Sequence, residues 1–466
     1  MNTMNEKLAD SAPRSVAPQV EGDPRSTTRD MARQVDKITS DDALLDTLQR
    51  HSFEYFRHET NPKNGLVRDR SQPESPASIA AVGFALASYP VGVERGWMTR
   101  AEAKERTLAV LRFFWNSAQG KTADATGYKG FYYHFLDMET GQRDGDCELS
   151  TIDTTFLLAG MLATAAYFEG EGEDEREIRT LADALYCRAD WQWAQNGGAT
   201  VTHGWKPEGF LQFRWEGYDE ALLLYMMGLG SPTFPLLPAS YAAWASTYQW
   251  KEIYDREYLY GGPLFIHQYS HLWLDFRGIQ DDFMRSKNSD YFENSRRAAY
   301  IHQQYAVNNP LGFAGYGAHF WGLTASDGPG PATREIDGIE RIFFDYVARG
   351  VPYGPDDGTV APWAAVASLP FAPEIVLPTI RHFMEVYPQV TGKYCLKCSF
   401  NLTFTPESPQ SRDKVGWTSQ HHYGINLGPV VLACENHRTG LPWRLMRSCP
   451  AIVAGLRRAG FAGGWL

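Results

Sequence analysis

The sequence predicts an all-α protein in which helical hairpins close into a ring, with long loops and short β-hairpins at one end. Three observations carry this expectation. A dozen or so apolar helical runs follow one another after residue 40, without the alternating strand–helix units of a parallel sheet. Each run is joined to the next by a short turn on one side and by a long polar, aromatic loop on the other. No fixed-length repeat supports an open solenoid. The chain has 466 residues, 43% hydrophobic and 21% charged, enough for a large core.

The first 40 residues are polar and rich in Ser, Pro, Asp and Arg, and read as a disordered lead-in to a single domain over residues 41–466. Leu44, Leu45, Leu48, Phe53 and Phe56 then mark an apolar helix face that ends before Asn61-Pro62. Ser75-Pro76 reads as a helix start, with Ser as N-cap and Pro as first residue, running to about Tyr89-Pro90. Thr99 and Glu102 have the spacing of a capping box. The alternation in Tyr128–Asp137 predicts a short hairpin closed by Thr140-Gly141. Helices are expected from Asp153 to Phe168, from Asp174 to about Asn196, after Asp219-Glu220, and over about 239–254, 291–307, 361–369, 374–387, 428–439 and 443–458.

Composition excludes several classes. The net charge of −11 is spread along the chain and no Lys/Arg run resembles a nucleic-acid footprint. No run of about 18 apolar residues offers a membrane span. No signal peptide is visible, so the sequence as it stands predicts a cytoplasmic protein, or a periplasmic one if the start codon is mis-assigned. Six cysteines in 466 residues are no disulfide scaffold. Cys395 and Cys398 form one CxxC without a second half at zinc spacing, and a plain buried thiol pair is favoured over a metal or redox role.

The aromatic fraction is high, 14%, with 14 Trp and 24 Tyr. Such rings serve large cores, and they also stack on sugar faces. Asp219 and Glu220 sit where the aromatic loop Trp205–Trp215 becomes an apolar helix. For this pair, Asp219 and Glu220, complementing a helix dipole is one account, and an acid held at the floor of a pocket lined by aromatics is the other. Glu148 and Asp153 flank Ser-Thr-Ile before another apolar helix, where Ser150 or Asp153 could equally be a cap. The stretch holding His267, Tyr269, His271, Trp273, Asp275 and Arg277 is dense in polar and aromatic groups. Its two histidines are four apart, but the glutamate of a zinc-protease motif is missing between them. Trp321 and Asp327 belong to a glycine-rich aromatic loop that lacks the lysine of a phosphate loop. Asp356-Asp357-Gly358 could hold calcium or sugar, or be a plain turn. No Gly-x-Ser-x-Gly elbow is present, which disfavours a serine hydrolase. Many loop carboxylates among aromatics suit glycoside cleavage, in which one acid protonates the leaving oxygen and a second carboxylate attacks or activates water.

Several blocks resemble the glucoamylase-like domain family, which contains the bacterial β-1,2-glucanases of glycoside hydrolase family 144. They include Glu148-Leu-Ser-Thr-Ile-Asp-Thr, Tyr218-Asp-Glu-Ala-Leu-Leu-Leu-Tyr and Phe265-Ile-His-Gln-Tyr-Ser-His-Leu-Trp. Trp321-Gly-Leu-Thr-Ala-Ser-Asp-Gly-Pro and Glu435-Asn-His-Arg-Thr-Gly belong to the same ordered set, which runs from about residue 41 to the C-terminus. The resemblance implies an (α/α)6 toroid, a loop-built pocket, an oligo- or polysaccharide substrate of β-1,2-linked glucose, no cofactor, no metal, and hydrolysis mostly with inversion. Glu220 then falls at the general acid and Asp153 among the catalytic carboxylates. Trp215, Tyr218, Asp219, Glu148, His267, Tyr269, His271, Asp275, Arg277, Trp321, Asp327 and Asn426 complete the expected site as substrate-binding residues. The family reads Gly-Ile-Asp-Gln-Gly-Pro where this chain has Gly424-Ile-Asn426-Leu427-Gly-Pro. That departure keeps a transglycosylase or a hydrolase of another glucan open, and a carbohydrate-binding protein without catalysis stands as a separate alternative, against which the intact Asp219-Glu220 pair argues.

Overall fold

The computed structural model describes residues 40–122, 124–405 and 416–466. The lead-in read over residues 1–39 lies outside the described residues. Among the described residues the helices are α1 (Asp41–His58), α2 (Ile79–Glu94), α3 (Arg100–Asn116), α4 (Thr151–Tyr167), α5 (Glu173–Arg188), α6 (Trp191–Ala194), α7 (Leu222–Gly230) and α8 (Pro238–Ala245). They continue as α9 (Tyr269–Trp273), α10 (Asp282–Ser286), α11 (Tyr291–Asn308), α12 (Pro362–Ala367), α13 (Pro373–Val386), α14 (Gly424–Arg438), α15 (Leu441–Arg447) and α16 (Pro450–Arg458).

The helices fall into two kinds. In α7 and α12 every residue is buried, and in α4 the run Thr151–Thr164 is buried without interruption. Helices apolar all round belong in an interior. By contrast α1, α5, α11 and α13 bury one face and expose a polar one. The inner helices touch in series: α2 packs on α4 and on α14, α4 on α7, α7 on α9, and α14 on α12. Gln268, just before α9, donates to the Ala364 carbonyl of α12 at 2.6 Å. The amphipathic helices lie outside them, α1 on α14, α5 on α4, α13 on α12. Buried apolar residues from Leu44 to Phe461 make one contiguous core, and no helix of the described residues is long and apolar enough to cross a membrane.

Capping explains where several helices begin. Ser40, Ser78, Thr99 and Ser150 each accept a backbone N–H of the first turn through the side-chain oxygen. Thr99 takes the Glu102 N–H at 3.1 Å, but the Glu102 carboxylate goes to Arg106 and Arg57 rather than back to the cap, so the capping box is half made. The start expected at Ser75-Pro76 is displaced. Ala77–Ser78 first pairs as a short strand with Phe135–Leu136, and Ser78 becomes the cap. The helix expected over 239–254 stops at Ala245, and Trp250–Ile253 and Arg256–Leu259 form a hairpin instead. The helix expected over 443–458 is two, split at Cys449-Pro450, because proline cannot supply the amide the helix interior needs.

A five-stranded antiparallel sheet caps one end of α4. Its strands are Gly127–Tyr128, Phe131–Tyr133, Leu149–Ser150, Gly204–Lys206 and Gly209–Phe210, neighbours in that order. Ser150 pairs with Tyr132 on one side and Gly204 on the other, so the sheet runs directly into the first turn of α4. The Arg68–Arg70 loop is tied to the start of α14 by an Arg70–Tyr423 bridge and by the Gly424 N–H donating to the Asp69 carbonyl at 2.9 Å.

Candidate active site

These junctions surround one cavity of about 600 Å³. Carboxylates enter it from five segments: Asp69, Glu148, Asp153, Glu220, Asp327 and Asp345. Among them stand His134 and Arg70, with Phe135, His203, Trp215, Phe265, Tyr269 and Tyr423 on the walls.

The Asp153 carboxylate is fixed from two sides. Ser150 caps α4 by accepting the Asp153 N–H and donates its own hydroxyl to Asp153 Oδ2 at 2.5 Å. Capping and a pocket role therefore coincide here. His134 Nδ1 lies 3.0 Å from Glu148 Oε1, and its Nε2 lies 3.7 Å from Asp153 Oδ2. Burial alone would make His134 harder to protonate. The charges of Asp153, Glu148 and Asp69 outweigh it and push the imidazole up to about 9. His134 is thus a cation at neutral pH, clamped between acids. Burial would raise Glu148, but the His134 hydrogen bond reverses this and holds it below the ordinary glutamate range. Asp69 is pushed up to about 6, by burial first and despite His134 and Arg70.

Glu220 is the opposite case. Burial raises it well above the ordinary range, and the charges of Asp219 and Asp153 add to the rise. Its backbone carbonyl accepts the Ser270 hydroxyl at 3.1 Å, tying it to the start of α9. Both Asp219 and Glu220 precede α7, which begins at Leu222, instead of sitting in its first turn. Asp219 turns away from the cavity. Its Oδ1 accepts the Ala221 N–H at 3.0 Å and the Trp244 indole N–H at 3.1 Å. Glu220, raised by burial, and Glu148, lowered by its hydrogen bond to His134, thus line one cavity with opposite tendencies, the kind of contrast that acid–base cleavage of an acetal uses.

Of the residues expected in the site, the structure brings Glu148, Asp153, Trp215, Glu220, Tyr269, Asp327 and Asn426 together around the cavity. Asp327 accepts the Tyr423 hydroxyl at 2.7 Å and the Ser419 hydroxyl at 3.1 Å. Asn426 Nδ2 donates to Cys398 Sγ at 3.2 Å.

Others are placed elsewhere and correct the expectation. Tyr218 and Asp219 pack behind the cavity wall, Tyr218 against His267 and stacked on Tyr291. His267 is fully buried and held by the Gly261 carbonyl at 2.9 Å, and burial lowers it to about 4. His271 meets the Ser295 hydroxyl at 3.0 Å, and burial lowers it to about 3. Asp275 is buried under a bidentate Arg277, at 2.8 and 2.7 Å, and also binds Arg447. Arg277 lies over Trp443, and Trp321 donates to Thr379 at 3.0 Å. Asp356-Asp357 is a structural pair. Asp357 binds Arg349 at 2.7 and 2.8 Å, with both side chains fully buried, and Asp356 accepts the Tyr305 and Tyr316 hydroxyls. Cys395 and Cys398 are buried free thiols, both pushed up to about 12 by burial.

The residues missed are Asp69, Arg70, His134, His203, Asp345 and Tyr423. Only a charge cluster, Arg68-Asp69-Arg70, and a histidine inside an alternating aromatic strand signalled any of them.

A family model, Glycoamylase, described as "Putative glucoamylase", matches residues 212–450, and the chain belongs to that family. A protein of the same description from Bacteroides uniformis has a solved structure 31% identical, covering 92% of this chain and 100% of its own, with a TM-score of 0.80. An endo-β-1,2-glucanase from Chitinophaga pinensis, solved with sophorotriose and glucose, is 27% identical over 92% of this chain and 100% of its own, TM-score 0.80. An exo β-1,2-glucooligosaccharide sophorohydrolase of Parabacteroides distasonis is 28% identical over 90% of this chain. The chain spans 58% of that relative's length.

Proposed function

We propose that this protein is a glycoside hydrolase that cleaves β-1,2-linked glucan or sophoro-oligosaccharides in the cavity, with Glu220 as general acid and Asp153 as second carboxylate. The observation that carries the reading is the contrast between Glu220, raised by burial, and the His134-clamped pair Glu148 and Asp153 in one cavity. Names of relatives that act on or bind β-1,2-glucans support the substrate class. The inner helices α2, α4, α7, α9, α12 and α14 are read as the inner layer of an (α/α)6 toroid. Their serial contacts, and the Gln268 link from α9 to α12, support closure.

The test is purified protein on linear β-1,2-glucan and on sophoro-oligosaccharides, with products resolved by chromatography. Wild type is expected to release short oligosaccharides and Glu220→Gln to release them about 10²- to 10⁴-fold more slowly. Equal activity in both removes Glu220 as the acid.

A second reading, glycosyl transfer, is favoured by Asn426. An amide that donates to a thiol cannot take a proton from water. Mass spectrometry of products formed with excess sophorose distinguishes the two. Asn426→Asp is expected to shift products toward hydrolysis, and products extended by whole disaccharide units in wild type alone support transfer.

A further inference from the structure

The cavity of about 600 Å³ has the size of a small-ligand site. It holds a few sugar units, so the rest of any longer chain must leave over its rim. One part of that rim is built as a stair of rings. Trp215, 7% exposed, lies at the bottom, anchored by its indole N–H donating to Thr151 Oγ at 2.9 Å. The His203 ring stacks on it, centroids 3.9 Å apart and planes 24° from parallel. Phe213 follows, its centroid 6.0 Å from His203, and it is 62% exposed.

The backbone holds this stair rigid. The His203 N–H donates to the Phe213 carbonyl at 3.0 Å, and Thr202 bridges to Arg214. Arg214 in turn donates to the Gln195 and Thr200 carbonyls. A single exposed phenylalanine is ordinary on a protein surface; what sets Phe213 apart is its place at the end of a ring stack that begins with the cavity residues Trp215 and His203. Burial lowers His203, so its ring is uncharged at neutral pH and continuous in character with its neighbours. Tyr346, also a cavity residue, is 66% exposed.

The geometry points to an outer binding site for a longer glucan: the stair Trp215–His203–Phe213 guides the chain out of the cavity, and Phe213 stacks on the face of a glucosyl unit beyond it. This rests on the β-1,2-glucan reading of the same cavity. A pyranose offers an apolar face of C–H groups to a flat ring, and such contact needs no charge and no fixed hydrogen bond. The site therefore acts on chain length and leaves the cleavage step alone.

The experiment compares KM and kcat of wild type, Phe213→Ala and Phe213→Trp on long linear β-1,2-glucan and on sophorotriose. Phe213 is exposed, so none of the variants threatens folding. Phe213→Ala is expected to raise KM for the long glucan about three- to tenfold, with kcat unchanged and sophorotriose kinetics unchanged. Phe213→Trp keeps the wild-type KM. An unchanged KM on the long glucan, an equal rise on both substrates, or a Trp variant as weak as the Ala variant overturns the outer site. Wild type inactive on both substrates overturns the β-1,2-glucan reading, and the outer site with it.

Discussion

His134 Nε2 stands 3.7 Å from Asp153 Oδ2, across the ring from the nitrogen that meets Glu148 at 3.0 Å. One cation thus serves two carboxylates contributed by the sheet and by the helix it feeds. The charge of His134 lowers Glu148 and Asp69. His134→Gln keeps a polar side chain and removes the charge. Both acids then hold protons to higher pH, and because they line the substrate cavity beside Asp153, the acidic limb of kcat/KM moves upward. At pH 5 to 6 the variant therefore loses activity relative to wild type, and the two converge toward higher pH. A pH–rate profile of the variant checks this, and an unmoved acidic limb contradicts it.

Glu220 must carry its proton to act as acid. Because burial raises it, the basic limb of the wild-type profile falls well above about 4.3, the ordinary glutamate value. Glu220→Gln lowers kcat by about 10²- to 10⁴-fold, the usual contribution of general acid catalysis, while binding of an unhydrolysed chain persists. Steady-state kinetics with calorimetry on the variant measures both.

The same burial has a stability cost with a definite sign. The folded protein holds the Glu220 proton to higher pH than the unfolded chain does. The stabilisation is complete below the unfolded value and is lost as pH rises through the raised folded one. Glu220→Gln cannot ionise. Its Tm should equal or exceed wild type at alkaline pH, by on the order of 2 °C, with the gap closing toward pH 5. Thermal melts across pH 5 to 9 test the trend.

The buried Arg349–Asp357 pair predicts a large structural effect without direct chemistry. Arg349 also donates to the carbonyls of Ser326, Phe344 and Asp345, the last of these next to Tyr346 on the cavity rim. Asp357→Ala leaves a buried guanidinium unpaired, which costs about 3–5 kcal/mol. A lowered denaturant midpoint is expected, and it is not recovered by added calcium. Recovery by calcium would make Asp357 a ligand instead.

Residues at the start of inner helices were legible in the sequence. Asp153 and Glu220 sit at a change from polar loop to apolar helix, and a helix long enough to be periodic reveals where it begins. Phe265 to Arg277 misled for a related reason. Its helix, Tyr269–Trp273, is five residues long, too short for periodicity to say which side faces inward. Only Phe265 and Tyr269 of that stretch reach the cavity, while the dense charges of Asp275 and Arg277 satisfy each other. Asp69 and Arg70 were beyond local reading because their placement depends on Tyr423 and Gly424, some 350 positions away. His134 was hidden at the bend between two short strands, Phe131–Tyr133 and Phe135–Leu136, which pair with Leu149–Ser150 and Ala77–Ser78 respectively. The helix-rich fold followed from the succession of apolar runs, whereas the split at Cys449-Pro450 needed the proline to be weighed against a continuous apolar pattern.

Helices α2 and α4 meet at Gly83 and Gly160 with their backbones in contact. A Cβ at Gly160 would lie 2.2 Å from the Gly83 carbonyl oxygen, and one at Gly83 would lie 2.2 Å from that of Phe156. Phe156 lines the cavity and Asp153 stands one turn before it. The spacing of these two helices is therefore set by two missing methyl groups. Replacing glycine by alanine, the ordinary route to a stiffer helix, would here wedge the pair apart and carry the Asp153 end of α4 with it. Anyone engineering this scaffold for heat resistance has to treat that crossing as part of the catalyst's dimensions.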